Sequence, residues 1–287
     1  MKYLGGKHQN GKYISKILNM LSPPESVDGY LEPFCGSLGV FKYMTNYKKS
    51  TASDIHPDLI KLWNDVKNNK FTPPKYKITD KVWNDAKKLK SPNSMKAFIG
   101  FGCSFGGKFF NSNAQKYDKQ NKRDFKQETI NSINKIKPFI QKKNVFFKNK
   151  SYEKFNPKNL LIYCDPPYKE KEEYKGILKF NHRKFWKKMR EWSKDNIVVI
   201  SEESAPKDFI CIWEKSKRRS LLKTSITKYN KRNKRFYSTE KLFIHKSLYK
   251  KYKKKINKIK SKKINKSKKI NKSKKINKRK NKASNFN

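Results

Sequence analysis

The sequence predicts an α/β fold: a sheet covered on both faces, interrupted by a mostly helical insertion and followed by a basic tail. Seven short apolar runs recur at the spacing of strand–helix units, and several are near-continuous, as strands buried on both faces require. Helical patterns lie between some of them. Sheets of this kind place their ligands at the carboxyl ends of the strands.

The first two strand candidates are Tyr30–Phe34 and Thr51–Asp54. The rhythm then breaks over residues 65–143, which are rich in Lys and Asn and carry Pro73-Pro74. Helical pieces are expected there around Val82–Leu89 and Ile130–Phe139, with a Gly/Phe segment between, so this stretch reads as an inserted lobe. Strands resume at Asn144–Phe147, Asn159–Cys164, Asn196–Ser201, Phe209–Trp213 and Leu242–His245. The clearest helix is Asn181–Ser193, where Phe185, Met189 and Trp192 share one face behind Asn181 as N-cap. Residues 1–64 and 144–249 thus form one domain around the insert. Residues 250–287 form a low-complexity tail containing the near-repeat KKINKS, KKINKS, KKINKR, whose isoleucines are too sparse for a core. Disorder or a transient helix is expected there.

Formal net charge is +50, from 73 basic and 23 acidic residues, which points to a polyanionic partner, most simply nucleic acid. The tail holds 19 basic residues and no acid, so residues 1–249 still carry +31. The four cysteines, Cys35, Cys103, Cys164 and Cys211, lie far apart with no metal-ligand spacing, which fits a reducing, intracellular compartment and predicts neither disulfide nor metal. No apolar run approaches the roughly 20 residues of a membrane span.

Four short stretches carry chemistry. In LLIYCDPPYKE, an apolar run stops at Asp165-Pro166-Pro167-Tyr168. A strand ending in a turn accounts for the prolines, and an active-site loop accounts for all four residues. In EPFCGSLGVF, a strand ends at Glu32-Pro33-Phe34, turns through Gly36 and Gly39, and enters a helical pattern. Glycines there let the backbone approach a ligand, although a tight strand–helix turn has the same composition. Asp54 ends the next strand, where a carboxylate can accept both hydroxyls of a ribose or simply cap a turn. Tyr3-Leu4-Gly5-Gly6-Lys7 brackets a Gly-Gly turn between an aromatic ring and an ammonium.

Taken in order, Y-L-G-G-K, E-P-F-C-G-S-L-G-V-F, S-D-I-H and C-D-P-P-Y resemble the Dam-like family of adenine-specific (N6) DNA methyltransferases. The likeness runs from Met1 to about Lys246. It implies a Rossmann-like, seven-stranded S-adenosylmethionine methyltransferase sheet, with target recognition in the insert. Gly102–Lys108 and Phe180–Pro206 also look like the family. The resemblance implies that Tyr3 and Lys7 contact S-adenosylmethionine at its methionine end. Glu32, Phe34, Gly36 and Gly39 would form the cofactor floor, Asp54 would hold the ribose, and Asp165 would face both cofactor and target base. Cys35 and Ser37-Leu38 stand where members of the family vary.

The chemistry rationalises D-P-P-Y. An adenine N6 amine has its lone pair delocalised into the ring, and its two hydrogens need two acceptors. The Asp165 carboxylate and the Pro166 carbonyl can supply them, with Pro166 and Pro167 fixing the carbonyl's direction. Tyr168 can stack on a base flipped out of double-stranded DNA. No Pro-Cys dipeptide is present, which disfavours a cysteine nucleophile attacking cytosine. Lys108, Lys116, Lys122, Arg123 and Arg232 are candidate DNA contacts, with Lys119, Arg218-Arg219 and the rest of 228–235 beside them. Other readings are a cytosine-N4 or RNA amino-methyltransferase, and a noncatalytic nucleic-acid-binding protein. A cognate restriction nuclease is the partner that a protective role would imply.

Overall fold

The computed structural model describes residues 1–114, 123–168, 180–218 and 237–261. They fall into two compact units, Met1–Glu202 and Glu203–Asn287. Seven strands appear, each overlapping a run expected from the sequence: β1 (Gly29–Glu32), β2 (Ser50–Asp54), β3 (Val145–Asn149), β4 (Leu160–Cys164), β5 (Ile197–Glu202), β6 (Phe209–Arg218) and β7 (Tyr237–His245). They form one sheet in the order β3-β2-β1-β4-β5-β7-β6.

Within the first unit β1 to β5 are all parallel. Leu161 to Cys164 and Val198 to Ile200 are fully buried, as continuous apolar strands under two helical layers must be. The register places the site. Glu32 pairs with Ala52, so β2 runs two residues past the end of β1, and Leu31 pairs with Ile162, so β4 also outruns it. Above the short central strand the chain has room to turn, flanked by Asp54 and Asp165.

Helix α1 (Gly11–Leu21) precedes the sheet and buries Ile14, Ile17, Leu18 and Leu21. Helix α2 (Pro57–Lys67) follows β2 and buries Leu59, Leu62 and Trp63. The insertion contains α3 (Asp80–Lys88), capped by Thr79, the short α4 (Ser94–Ala97), a π-helical turn Phe98–Gly102 and α5 (Phe125–Ile140), capped by Asp124. Helices α4 and α5 pack against α2. Residues 65–143 therefore share the first unit with β1 to β5. Helix α6 (His182–Asp195) buries Phe185, Met189 and Trp192, and the Asn181 side chain accepts the Lys184 N–H at its start.

Two expectations need correction. The helix expected after the glycine turn is a single 3-10 turn, Phe41–Tyr43, packed against α1. The tail, expected from residue 250 as disorder or a transient helix, is helical where it is described and starts earlier: residues 246–261 form a helix, α7, while residues 262–287 lie outside the described residues. In the second unit β6 and β7 pair antiparallel with a register shift between Cys211 and Trp213. Among the described residues no helix is long and apolar enough to cross a membrane.

Candidate active site

Strand β4 delivers Asp165 to the carboxyl edge of the sheet. Pro166 is buried, Pro167 exposed and Tyr168 half-buried. The tetrapeptide is held from an unexpected direction. The Lys7 ammonium lies 2.8 Å from Asp165 Oδ1 and donates to the Tyr168 hydroxyl at 2.8 Å and to the Gly5 carbonyl at 3.4 Å. It also sits 4.7 Å from the centre of the Tyr168 ring. The Lys7 side chain is only 8% exposed, so this pair is sheltered from the screening that makes surface ion pairs weak. A turn aims it there: Gly5 adopts φ +77° and the Gly6 N–H donates to the Tyr3 carbonyl at 3.0 Å.

The glycine turn after β1 is built by the same logic. Gly36 has φ +43°, and a Cβ on it would meet the Tyr3 ring at 2.8 Å, so Tyr3 lies directly on the turn. Its N–H donates to Asp54 Oδ2 at 3.1 Å, and its carbonyl accepts from the buried Trp63 Nε1 at 2.9 Å. Asp54 Oδ1 accepts the His56 N–H at 3.0 Å. Burial raises the Asp54 carboxyl, and these backbone donors oppose the rise. Ser37 Oγ, within the turn, is buried with no hydrogen-bond partner among the described residues. Gly39 meets the backbone of Lys7 and His8, where an added Cβ would come to 3.0 Å.

Glu32, 2% exposed, accepts the Tyr30 hydroxyl at 2.8 Å. Burial pushes its pKa well above the ordinary carboxylate range, and the nearby Asp165 charge pushes the same way. Phe34 joins Tyr152, Phe180 and Phe185 in an aromatic cluster.

Four residues of this site were not singled out from the sequence. Phe101 stacks 5.0 Å from Tyr3 and 4.9 Å from His56, and His56 lies 4.3 Å from Phe109. Burial holds the His56 imidazole down to about 4, so it is neutral and serves as a flat ring. Trp63 anchors the glycine turn. The apolar spacing of α2 marks Trp63 as a core residue, and only its indole N–H makes it part of the site.

The DNA-contact candidates fare unevenly. Lys108 is half-buried after Gly107, which packs so closely on Tyr3 that a Cβ would meet the Tyr3 nitrogen at 2.5 Å. Arg123 is drawn into a two-pronged ion pair with Glu128, Nε and NH2 each at 2.8 Å, and this helps to hold the Glu128 carboxyl down. Lys116, Lys119, Lys122, Arg219, Lys228 and Arg232 lie outside the described residues. All four thiols are raised by burial, so none is a ready thiolate nucleophile.

The contact between the N-terminal turn and the glycine turn can be tested directly. Gly to Ala near the start of a helix ordinarily stabilises by up to about 1 kcal/mol. At Gly11 the new Cβ would fall 2.0 Å from the Gly39 carbonyl oxygen. Gly11→Ala is therefore expected to destabilise by about 1–3 kcal/mol in urea unfolding, the usual cost of overpacking. An unchanged or raised midpoint would show that the two turns are not in backbone contact.

No curated protein matches the chain. The model of a family described as D12 class N6 adenine-specific DNA methyltransferase matches residues 3–102, a stretch holding Tyr3, Lys7, Glu32, the glycine turn, Asp54 and Phe101. Asp165 lies beyond the matched stretch, at the strand end to which Lys7 of that stretch is paired. Over residues 3–102 the chain is thus similar to the D12 class of N6 adenine-specific DNA methyltransferases, enzymes that methylate adenine in DNA.

Proposed function

We propose that the pocket above β1 binds S-adenosylmethionine, and that Asp165 with the Pro166 carbonyl orients the amine of an adenine flipped out of double-stranded DNA. The observation that carries this reading is the Lys7 bridge. It ties the D-P-P-Y loop to the turn that packs on Gly36 and Gly39, so that the acid end of β4 and the glycine turn form one site. The residues fit the cofactor. The glycine turn leaves backbone open to close approach, Ser37 Oγ is a buried hydroxyl awaiting a partner, and Asp54 still has acceptor capacity beyond its backbone donors.

In this reading Asp54 takes the ribose hydroxyls, and Tyr3, Glu32 and Phe34 line the remainder of the pocket. S-adenosylmethionine, when bound, supplies a methyl group carried on a positively charged sulfur. Asp165 and the Pro166 carbonyl each accept one N6 hydrogen, which directs the nitrogen lone pair away from the ring. Tyr168 offers its face to the base. The raised thiols leave no covalent route through Cys35 or Cys164. Protection of self DNA from a cognate nuclease is one use of such methylation, and regulation is the other.

The Lys7 geometry sharpens its role. Lys7 touches Asp165 and Tyr168 directly, so it positions the acceptors besides any contact with the cofactor's carboxylate. Lys7→Met is expected to lower kcat on the order of 100-fold, the usual effect of misplacing a reacting group by about 1 Å. Steady-state kinetics check this. A raised KM for S-adenosylmethionine with kcat intact would assign Lys7 to cofactor binding alone.

Glu32 yields a pH prediction. Its raised pKa keeps it protonated in the free protein above the ordinary value of 4.5, whereas beside a bound cation it ionises. Binding then releases a proton, and affinity for S-adenosylmethionine rises with pH up to the raised value. Titration calorimetry in buffers of different ionisation enthalpy measures that proton. The proposal requires release by the parent and none by Glu32→Gln; equal proton uptake in both would refute it.

A further inference from the structure

We propose that α7 is a second contact surface for DNA, one that grips the phosphate backbone without reading bases. The inference rests on the chain acting on DNA and involves residues separate from those of the pocket.

Residues 246–261 hold eight lysines and no acid, and all eight lysines are exposed. The helix is nonetheless anchored. Leu248, Ile256 and Ile259 are buried and Tyr252 is half-buried, and these four recur at i, i+4, i+8 and i+11 as a single stripe. Lys260 lies close enough to Cys211 of β6 to influence its thiol, which places the far end of the helix beside the β6–β7 pair of the same unit.

The buried stripe separates this segment from a solvated charge run, because it fixes the direction in which the lysines point. At 100° per residue, Lys246, Lys250, Lys254 and Lys258 fall on the side opposite the stripe. They form a row about 18 Å long at 1.5 Å per residue, enough to follow several successive phosphates of one strand. Lys246 and Lys250, Lys250 and Lys254, and Lys254 and Lys258 are like charges at i, i+4, which repel and weaken an isolated helix. A polyanion laid along the face removes that repulsion. Lysines are point charges on flexible stems, with no bidentate geometry for base edges, so the contact belongs to the backbone.

The test compares the full chain with a variant in which Lys246, Lys250, Lys254 and Lys258 are all changed to Gln, and with one in which all four become Arg. Binding of a fluorescein-labelled 30-base-pair duplex is followed by anisotropy from about 50 to 200 mM salt, together with methylation of the same duplex. Each lost phosphate contact lowers the slope of log K against log salt by about 0.9. The Gln variant should lose about 2 to 4 from that slope and bind on the order of 10- to 100-fold more weakly at the lowest salt. The Arg variant should keep the parental slope, and the base methylated at saturating enzyme should not change. A parental slope in the Gln variant overturns the proposal, as does a reduced slope in the Arg variant or an altered methylation site. A parent that binds DNA with the expected slope but never methylates it would fault the pocket assignment and leave α7 standing.

Discussion

Asp165→Ala should bind S-adenosylmethionine nearly as the parent does and methylate DNA on the order of a thousandfold more slowly. Removing one preorganised partner of a developing charge costs about 10²–10³ in rate, and here the partner also steers the lone pair. The substitution additionally strips Lys7 of the carboxylate at 2.8 Å, leaving its ammonium on the Tyr168 hydroxyl and the Gly5 carbonyl. The loop is expected to loosen and add to the loss. Asp165→Asn separates these contributions, since it keeps one carbonyl acceptor and the shape but loses the ion pair. Its rate should fall between those of Ala and parent. Rapid-quench transfer of a tritiated methyl group measures all three, and an Asn variant as fast as the parent would show that the carboxylate's charge is immaterial.

Asp54→Ala should lose at least about a hundredfold in S-adenosylmethionine affinity and also lose stability. In the parent its two oxygens hold the N–H groups of Gly36 and His56, so the carboxylate shapes the glycine turn before any ligand arrives. Truncation leaves two N–H groups in a buried site without their acceptor, at about 1–3 kcal/mol each where water cannot reach them. Asp54→Asn can still accept one of them and should recover part of the stability but little of the affinity, because a ribose needs two acceptor positions. Titration calorimetry and urea unfolding on the two variants decide this. Full affinity in Asp54→Ala would remove the carboxylate from the cofactor site.

The strands were readable because burial on both faces leaves an uninterrupted apolar record: Leu161 to Cys164 and Val198 to Ile200 have no polar residue to blur it. The N-cap at Asn181 was readable for a local reason, since its partner is the Lys184 N–H three residues on. What remained hidden depends on distant partners. Nothing near Lys7 indicates that it reaches Asp165 and Tyr168, because the chain returns to it only after passing through the whole insertion. The helix expected after the glycine turn failed because Gly39 serves a close approach to Lys7 and His8, and α1 occupies the neighbouring position against residues 41–43. The insertion reads as an inserted lobe because its surface is so rich in Lys and Asn, and its apolar residues Trp83, Ile133, Ile136 and Ile140 are buried. In α7 low-complexity composition masked a real apolar stripe. Its leucine and isoleucines are few, and only their helical spacing gathers them on one side.

In the proposed reaction the end of β4 presents the exocyclic amine of adenine for methylation. The most direct test incubates the protein with duplex DNA and S-adenosylmethionine carrying a labelled methyl group, digests the DNA to nucleosides and separates them by chromatography with mass detection. The label should appear in N6-methyladenine with the parent and be lost with Asp165→Ala. Label in N4-methylcytosine, or undiminished N6-methyladenine from Asp165→Ala, would contradict the account.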